Sequence, residues 1–358
     1  MSSCYFMPLI FVFPWALFSS GIGPEPGVAA ALRASMEEEV PARMAARRWH
    51  HELGGFERGQ RLENNGGRAV VGRYRGDCVD NGREGPWDRD LILHRSDDGL
   101  HFDSGVTLEP CADVPSIAQG ADGTLIAIFQ SFAGTEPHPI TGQEGHPAIR
   151  WSRDGGKSWS STEFVSFEGF PPEALGRAYD PTLTYDFEDD LWRVYFTLRT
   201  QSGDKSEIAC THSAVSENGF DYLYAGLAFC DGNHVPDPAV VQLDGRWHYS
   251  APRGAPNDGA YYATSEDGVE FTRKADIPSD HNHNLTGNFT VSDGSLFLYA
   301  AECNYALKDE YLFRISSDDE GETWSDFVRT DVLAGKDPGV IKTASGAWLM
   351  LVPVWTPE

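Results

Sequence analysis

Positive charge is what this sequence has least of: 28 Lys and Arg stand against 54 Asp and Glu, a formal net charge of −26 over 358 residues. No lysine-rich tract offsets that balance, which excludes nucleic acid as an expected partner and opposes docking on anionic lipid. Cysteine is scarce too. The six present form no Cys-x-x-Cys pair and no Cys/His cluster of zinc-binding spacing. If Cys4 leaves with a leader, Cys78, Cys111, Cys210, Cys230 and Cys303 remain, an odd set that allows two disulfides at most and otherwise reads as buried thiols. There is no glycine-rich phosphate cradle and no Gly-x-Ser-x-Gly nucleophile elbow, so neither nucleotide-loop nor α/β-hydrolase chemistry is expected, and no cofactor.

Helical patterning is also rare. Only residues 31–55 read as a helical arm, broken at Pro41 and stopped at Gly54-Gly55. Ahead of it, the apolar run Tyr5–Phe18 and the small residues Gly27–Ala31 suit a secretory signal over residues 1–30, which predicts a secreted or envelope protein. No basic residue precedes that run and Pro8 and Pro14 interrupt it, so an N-terminal membrane anchor or a misplaced start stays open. Nothing later in the chain is apolar for long enough to span a membrane.

What the chain does have is 41% apolar and 12% aromatic residues, enough to bury a large core, with 37 Gly and 22 Pro to turn it. Short β-branched and aromatic runs between those turns predict an all-β fold. The runs repeat. Ser152-Arg-Asp154-Gly-Gly156-Lys-Ser-Trp159 and Ser317-Asp-Asp319-Glu-Gly321-Glu-Thr-Trp324 share Ser-x-Asp-x-Gly-x-Ser/Thr-Trp, and shorter relatives centre on Asp98, Asn218 and Asp267. In such a turn the Asp accepts backbone N–H bonds, the Gly takes positive φ and the aromatic closes the hairpin, so these acids read as structural. A second unit precedes each turn, a strand opening with Asp followed by an apolar strand: Asp113-Val-Pro, Asp180-Pro, Asp237-Pro and Asp337-Pro. The version at Asn288 has lost its Asp-Pro. Four strands, A to D, repeated every fifty to sixty residues or so predict a β-propeller of four-stranded antiparallel blades.

These motifs resemble those of the sialidase-like Asp-box (BNR-repeat) propellers, and the Asp-Pro starts are similar to those of the five-bladed arabinanase and furanosidase glycoside hydrolases. The resemblance covers about residues 56–358 and implies a glycoside hydrolase acting on a glycan terminus held in the axial pocket, with a non-catalytic carbohydrate- or protein-binding propeller as the alternative. Six A-B pairs are counted if Gly59–Gly76 supplies the first, against five C-D hairpins, so six blades are favoured over five. The last blade, Asp337–Trp355, must then borrow outer strands, with Trp49–Arg58 as one source. The chain departs from the sialidases in having Gly72-Arg-Tyr-Arg-Gly76 where Arg-Ile-Pro is expected. It departs from the arabinanase type in that no Glu opens an inner strand.

Strand alternation puts the A-strand starts and the B-to-C connections on one face, and the Ser-x-Asp turns on the other. Asp113, Asp180 and Asp237 are therefore expected to gather at one mouth with Asp337, where crowding raises carboxyl pKa values and lets one acid keep its proton while another ionises. The plainer reading of each is a strand-start cap. Glu302, at a B-strand end, is the candidate acid; a salt bridge to Arg253 or Lys308 is its alternative. Gln130, Arg75, Arg199 and Arg253 reach the same face as candidate sugar ligands, as do Trp87, His138 and His146 in or beside the long loops there. Asp280-His-Asn-His-Asn284 has a His-x-His spacing but no further ligand in view, so a polar loop is expected and no metal.

Overall fold

The computed structural model describes residues 88–133, 145–201, 206–232, 234–254, 258–280, 282–302, 311–333 and 335–355. All belong to the unit Asn65–Glu358. The expected signal, helical arm and first A-B pair lie outside these residues, as do Arg75, Trp87 and His138.

Strands β1 (Arg89–Ser96) and β2 (Val106–Glu109) come first. Blade I follows, with β3 (Ala112–Gln119), β4 (Leu125–Ser131), β5 (His146–Ser152) and β6 (Glu163–Phe164). The short β7 (Ser166–Glu168) leads to blade II, built from β8 (Tyr179–Asp186), β9 (Leu191–Gln201), β10 (Glu207–Ser216) and β11 (Asp221–Phe229). Blade III holds β12 (Ala239–Leu243), β13 (Arg246–Pro252), β14 (Ala260–Ser265) and β15 (Thr272–Arg273). Blade IV holds β16 (His283–Ser292), β17 (Ser295–Glu302), β18 (Tyr311–Ser317) and β19 (Val328–Leu333), and β20 (Gly339–Lys342) and β21 (Trp348–Trp355) end the chain. Within each blade the strands pair antiparallel in chain order; β7 adds a parallel fifth strand to the edge of blade II at β11.

Blade V corrects the expected blade number. Its order is β2-β1-β21-β20, so the outer strands come from the beginning of the described chain: β1 pairs with β21 from Arg89↔Trp355 to Ser96↔Trp348. The first C-D hairpin and the last A-B pair are thus halves of one blade. The ring has five blades, not six, and Trp49–Arg58 is not needed to complete it. Inner strands follow one another around the axis as β3, β8, β12, β16, β20 and back to β3.

Apolar faces of neighbouring blades make the core. Ile126, Ile128 and Ile149 of blade I pack with Val194, Phe196 and Tyr222 of blade II, all essentially inaccessible to solvent. Each such side chain contributes roughly 1.5–3 kcal/mol by leaving water. The five Ser-x-Asp (or Ser-x-Asn) turns close the C-D hairpins in one pattern. The serine hydroxyl donates to the acid or amide oxygen, at 3.0 Å for Ser96–Asp98 and 2.8 Å for Ser152–Asp154. The same hydroxyl then accepts the glycine N–H, at 2.9 Å in both. Donors also hold these carboxylates ionised: the His101 N–H and ring lower Asp98, and the Thr323 hydroxyl and N–H lower Asp319.

Candidate functional site

The four expected acids meet at one end of the axis. Asp113 and Asp180 stand at the starts of β3 and β8, and Asp237 and Asp337 just ahead of β12 and β20. Their backbone is unusual in a shared way. The residue before each proline, Val114, Asp180, Asp237 or Asp337, is left-handed, with φ of 47°, 51°, 55° and 44°. Aspartate tolerates this conformation better than most residues, whereas a β-branched valine stores about 1–3 kcal/mol of strain in it. In blade I the acid therefore sits one residue earlier than in the others. Register shifts between Asp113 and Ser116 and between Tyr179 and Thr182 mark local bulges; Asp180 leaves the ladder in the second, and Asp113 is the last paired residue before the first.

Asp113, Asp180 and Asp237 are 2%, 8% and 8% exposed. The Asp180 and Asp237 carboxyls lie close enough for each to act on the other's titration. Burial, with the charges of Asp337 and Asp113, pushes Asp180 up to about 7 against the Thr197 hydroxyl that favours its ionised form. Burial and the Asp180 and Asp337 charges raise Asp237 well above the carboxylate range. Asp337 rises to about 6, through burial and Asp113, with Arg89 and Lys336 opposing. Asp113 is raised by burial as well, but Arg89 Nη1 lies 2.5 Å from its Oδ2. Asp180, Asp237 and Asp337 thus hold protons toward neutrality, opposite in behaviour to the acids of the Ser-x-Asp turns.

Neighbours position this set. Gln130 Oε1 accepts the Asp180 N–H at 3.2 Å. Thr197 Oγ1 donates to Asp180 Oδ2 at 3.0 Å and accepts the Asp237 N–H at 3.2 Å, tying the two acids together through one hydroxyl. Blade IV, lacking an acid, contributes Thr286 and Asn288 to the same cavity, and Asn288 Nδ2 donates to Pro115 O at 3.3 Å. Between the acids about 10 Å³ is open to the centre of a water-sized sphere, room for about one water molecule.

The remaining candidates lie elsewhere or are otherwise engaged. Glu302 is buried, but both its oxygens take Arg329, at 2.6 and 2.9 Å; the partner is neither Arg253 nor Lys308. Arg253 joins Asp276 at 2.6 Å and covers the Tyr261 ring on the outer part of blade III. Arg199 meets Glu207 at 3.3 Å and lies 5.7 Å over Tyr179, whose hydroxyl pKa is raised by burial and by Asp180 and Asp237, so it stands closer to the acids. His146 opens β5 with its ring edge-on to Phe164. His283 Nδ1 donates to Asp280 Oδ1 at 2.7 Å and its ring stacks on Phe327; among the described residues no group of three His, Cys, Asp or Glu is placed to hold a metal.

Sequence reasoning missed Arg89, Thr197 and Lys336. Thr197 had a signal: it pairs across from Tyr179 as Gln130 pairs across from Asp113, so the polar residue opposite each A-strand start marks the site. Arg89 had none, because its proximity to Asp113 depends on β1 joining the last blade.

No protein-family model and no curated protein matches the chain. Solved structures do. A glycosyl hydrolase from Bacteroides ovatus aligns with a TM-score of 0.49 at 11% identity, over 68% of this chain and 83% of that one. An exo-β-1,3-galactanase from Phanerochaete chrysosporium gives 0.49 and 11%, over 74% and 64%. A family 117 glycoside hydrolase from Zobellia galactanivorans gives 0.47 and 12%, over 75% and 91%. These scores are too low to transfer any residue's role, and the site is read from its own geometry.

Proposed function

We propose that the axial mouth receives the terminus of a glycan and that its acids act on the glycosidic bond. One observation carries this reading: acids from three blades, Asp180, Asp237 and Asp337, line one buried mouth beside Asp113, which Arg89 holds. Glycoside hydrolysis needs one carboxyl that gives a proton to the leaving oxygen and another that is ionised to activate water or stabilise positive charge. Asp180, with its pKa near 7, is the proton donor. Asp113, whose ionised form the Arg89 guanidinium favours against the upward push of burial, is the partner, and Asp113 and Asp337 keep the donor's pKa high. Gln130 and Thr197 orient the donor. Glu302, wholly occupied by Arg329, is assigned to structure.

A second reading, glycan binding without turnover, is favoured by the small space between the acids. A panel of aryl glycosides that includes a sialoside and an arabinofuranoside separates the two. Hydrolysis by the wild type, reduced at least about a hundredfold in Asp180→Asn but retained in Glu302→Gln, supports the enzyme. Binding without release of the aryl group supports the second reading. An Asp180→Asn variant that hydrolyses at the wild-type rate overturns the assignment. The disulfide from Cys210 in β10 to Cys230, just after β11, supports an oxidising compartment, and so a secreted or envelope location.

A further inference from the structure

The face that carries the axial acids also carries the D-to-A and B-to-C connections. Arg177 lies on the first kind, three residues ahead of Asp180, and His146 closes the second kind where β5 begins. The guanidinium and the imidazole are near enough to interact through charge. Arg177 differs from the other arginines of the neighbourhood in what it meets. Arg89 holds Asp113, Arg150 holds Glu109, Arg199 holds Glu207 and Arg329 holds Glu302. Arg177 Nη1 is buried and has no hydrogen-bond partner among the described residues. The residue as a whole remains half-exposed, and the buried Ala178 next to it anchors the chain.

An N–H buried without an acceptor is costly, and a guanidinium in a chain with 26 excess negative charges had many acids available to it. A planar fork left open at a binding mouth is matched by two oxygens of one anionic group. We infer that Arg177, with His146 beside it, forms an anion subsite on the rim of the axial mouth, and that the glycan taken there carries a carboxylate or a sulfate ester. This rests on the glycan reading above and narrows it to acidic sugars. His146 is half-buried, and burial together with the Arg177 charge keeps it neutral, so the ring serves as a hydrogen-bonding wall while Arg177 supplies the charge.

The test uses the full chain on an oligosaccharide array in which neutral, uronic or sialylated, and sulfated forms of the same backbones stand side by side. The wild type is expected to prefer the acidic forms by roughly tenfold or more, with the carboxylated and sulfated sets showing which anion is taken. Arg177→Gln, checked for folding by its melting temperature, is expected to bring the acidic forms down to the neutral level. Arg177→Lys, which keeps the charge and loses the fork, is expected to keep only part of the preference and serves if the glutamine variant does not fold. Equal retention of acidic and neutral forms by the wild type, or an undiminished preference in Arg177→Gln, overturns the subsite while the glycan reading stands. Retention of no sugar at all overturns both.

Discussion

At the scale of single residues, the axial acids act against the stability of the fold. Asp180 has a folded pKa of about 7 against an ordinary value of 3.8, so the folded state binds more protons than the unfolded one between those limits. Its contribution is fully present below about pH 4 and is lost as pH rises through 7. Asp237→Asn removes one of the negative charges that must otherwise be crowded into this buried space. The variant is expected to melt several degrees higher than the wild type at pH 8, at roughly 2–4 °C for each kcal/mol relieved, and to lose that advantage at pH 4. Scanning calorimetry at the two pH values checks it; an Asp237→Asn variant less stable than wild type at pH 8 would show that the acids are there to hold the fold. The acids themselves were legible because Asp-Pro recurs at matched positions. What holds them was not: Thr197 and Arg89 act on Asp180 and Asp113 across strands and blades, and linear spacing carries no trace of those contacts.

Among the elements, neighbouring blades are fastened by tyrosines. Tyr195 donates to Gly268 O at 2.6 Å, Tyr262 to Glu320 O at 2.7 Å and Tyr299 to Gly99 O at 2.7 Å, each reaching into the Ser-x-Asp turn of the next blade. The turn glycines make room for them. A Cβ on Gly321, at φ +88°, would fall 1.9 Å from the Tyr262 hydroxyl oxygen. This explains why the turn retains Gly beyond the demand of its backbone, and why the motif's aromatic is only part of its packing. Tyr195→Phe leaves the buried Gly268 carbonyl short of a donor and is expected to cost about 1–2 kcal/mol in urea unfolding with no change in sugar binding. A loss of binding equal to the loss in an axial Asp variant would contradict the separation between the two faces. The hairpin turns could be read from the sequence since their residues are contiguous; the tyrosine partners, about seventy residues or more away for Tyr195, could not.

For the whole ring, closure decides both the blade number and the site. Strand β1 zips onto β21 over its full length, bringing residues from the two ends of the described chain into one sheet and placing Arg89 on Asp113. Counting strand pairs along the sequence gave six blades because a blade assembled from distant halves is counted twice, and only pairing between β1 and β21 reduces the count to five. The same closure brings Asp337 of the last blade beside Asp113 of the first, so the acid cluster exists only in the closed ring. Carbon-13 NMR of the protein labelled at aspartate Cγ, titrated from pH 3 to 9, tests that cluster most directly. Carboxyl signals that titrate near pH 6 to 7 in the wild type, and that shift toward ordinary values in Asp113→Asn, are what the closed ring predicts. Aspartates that all titrate near or below their ordinary pH would contradict it.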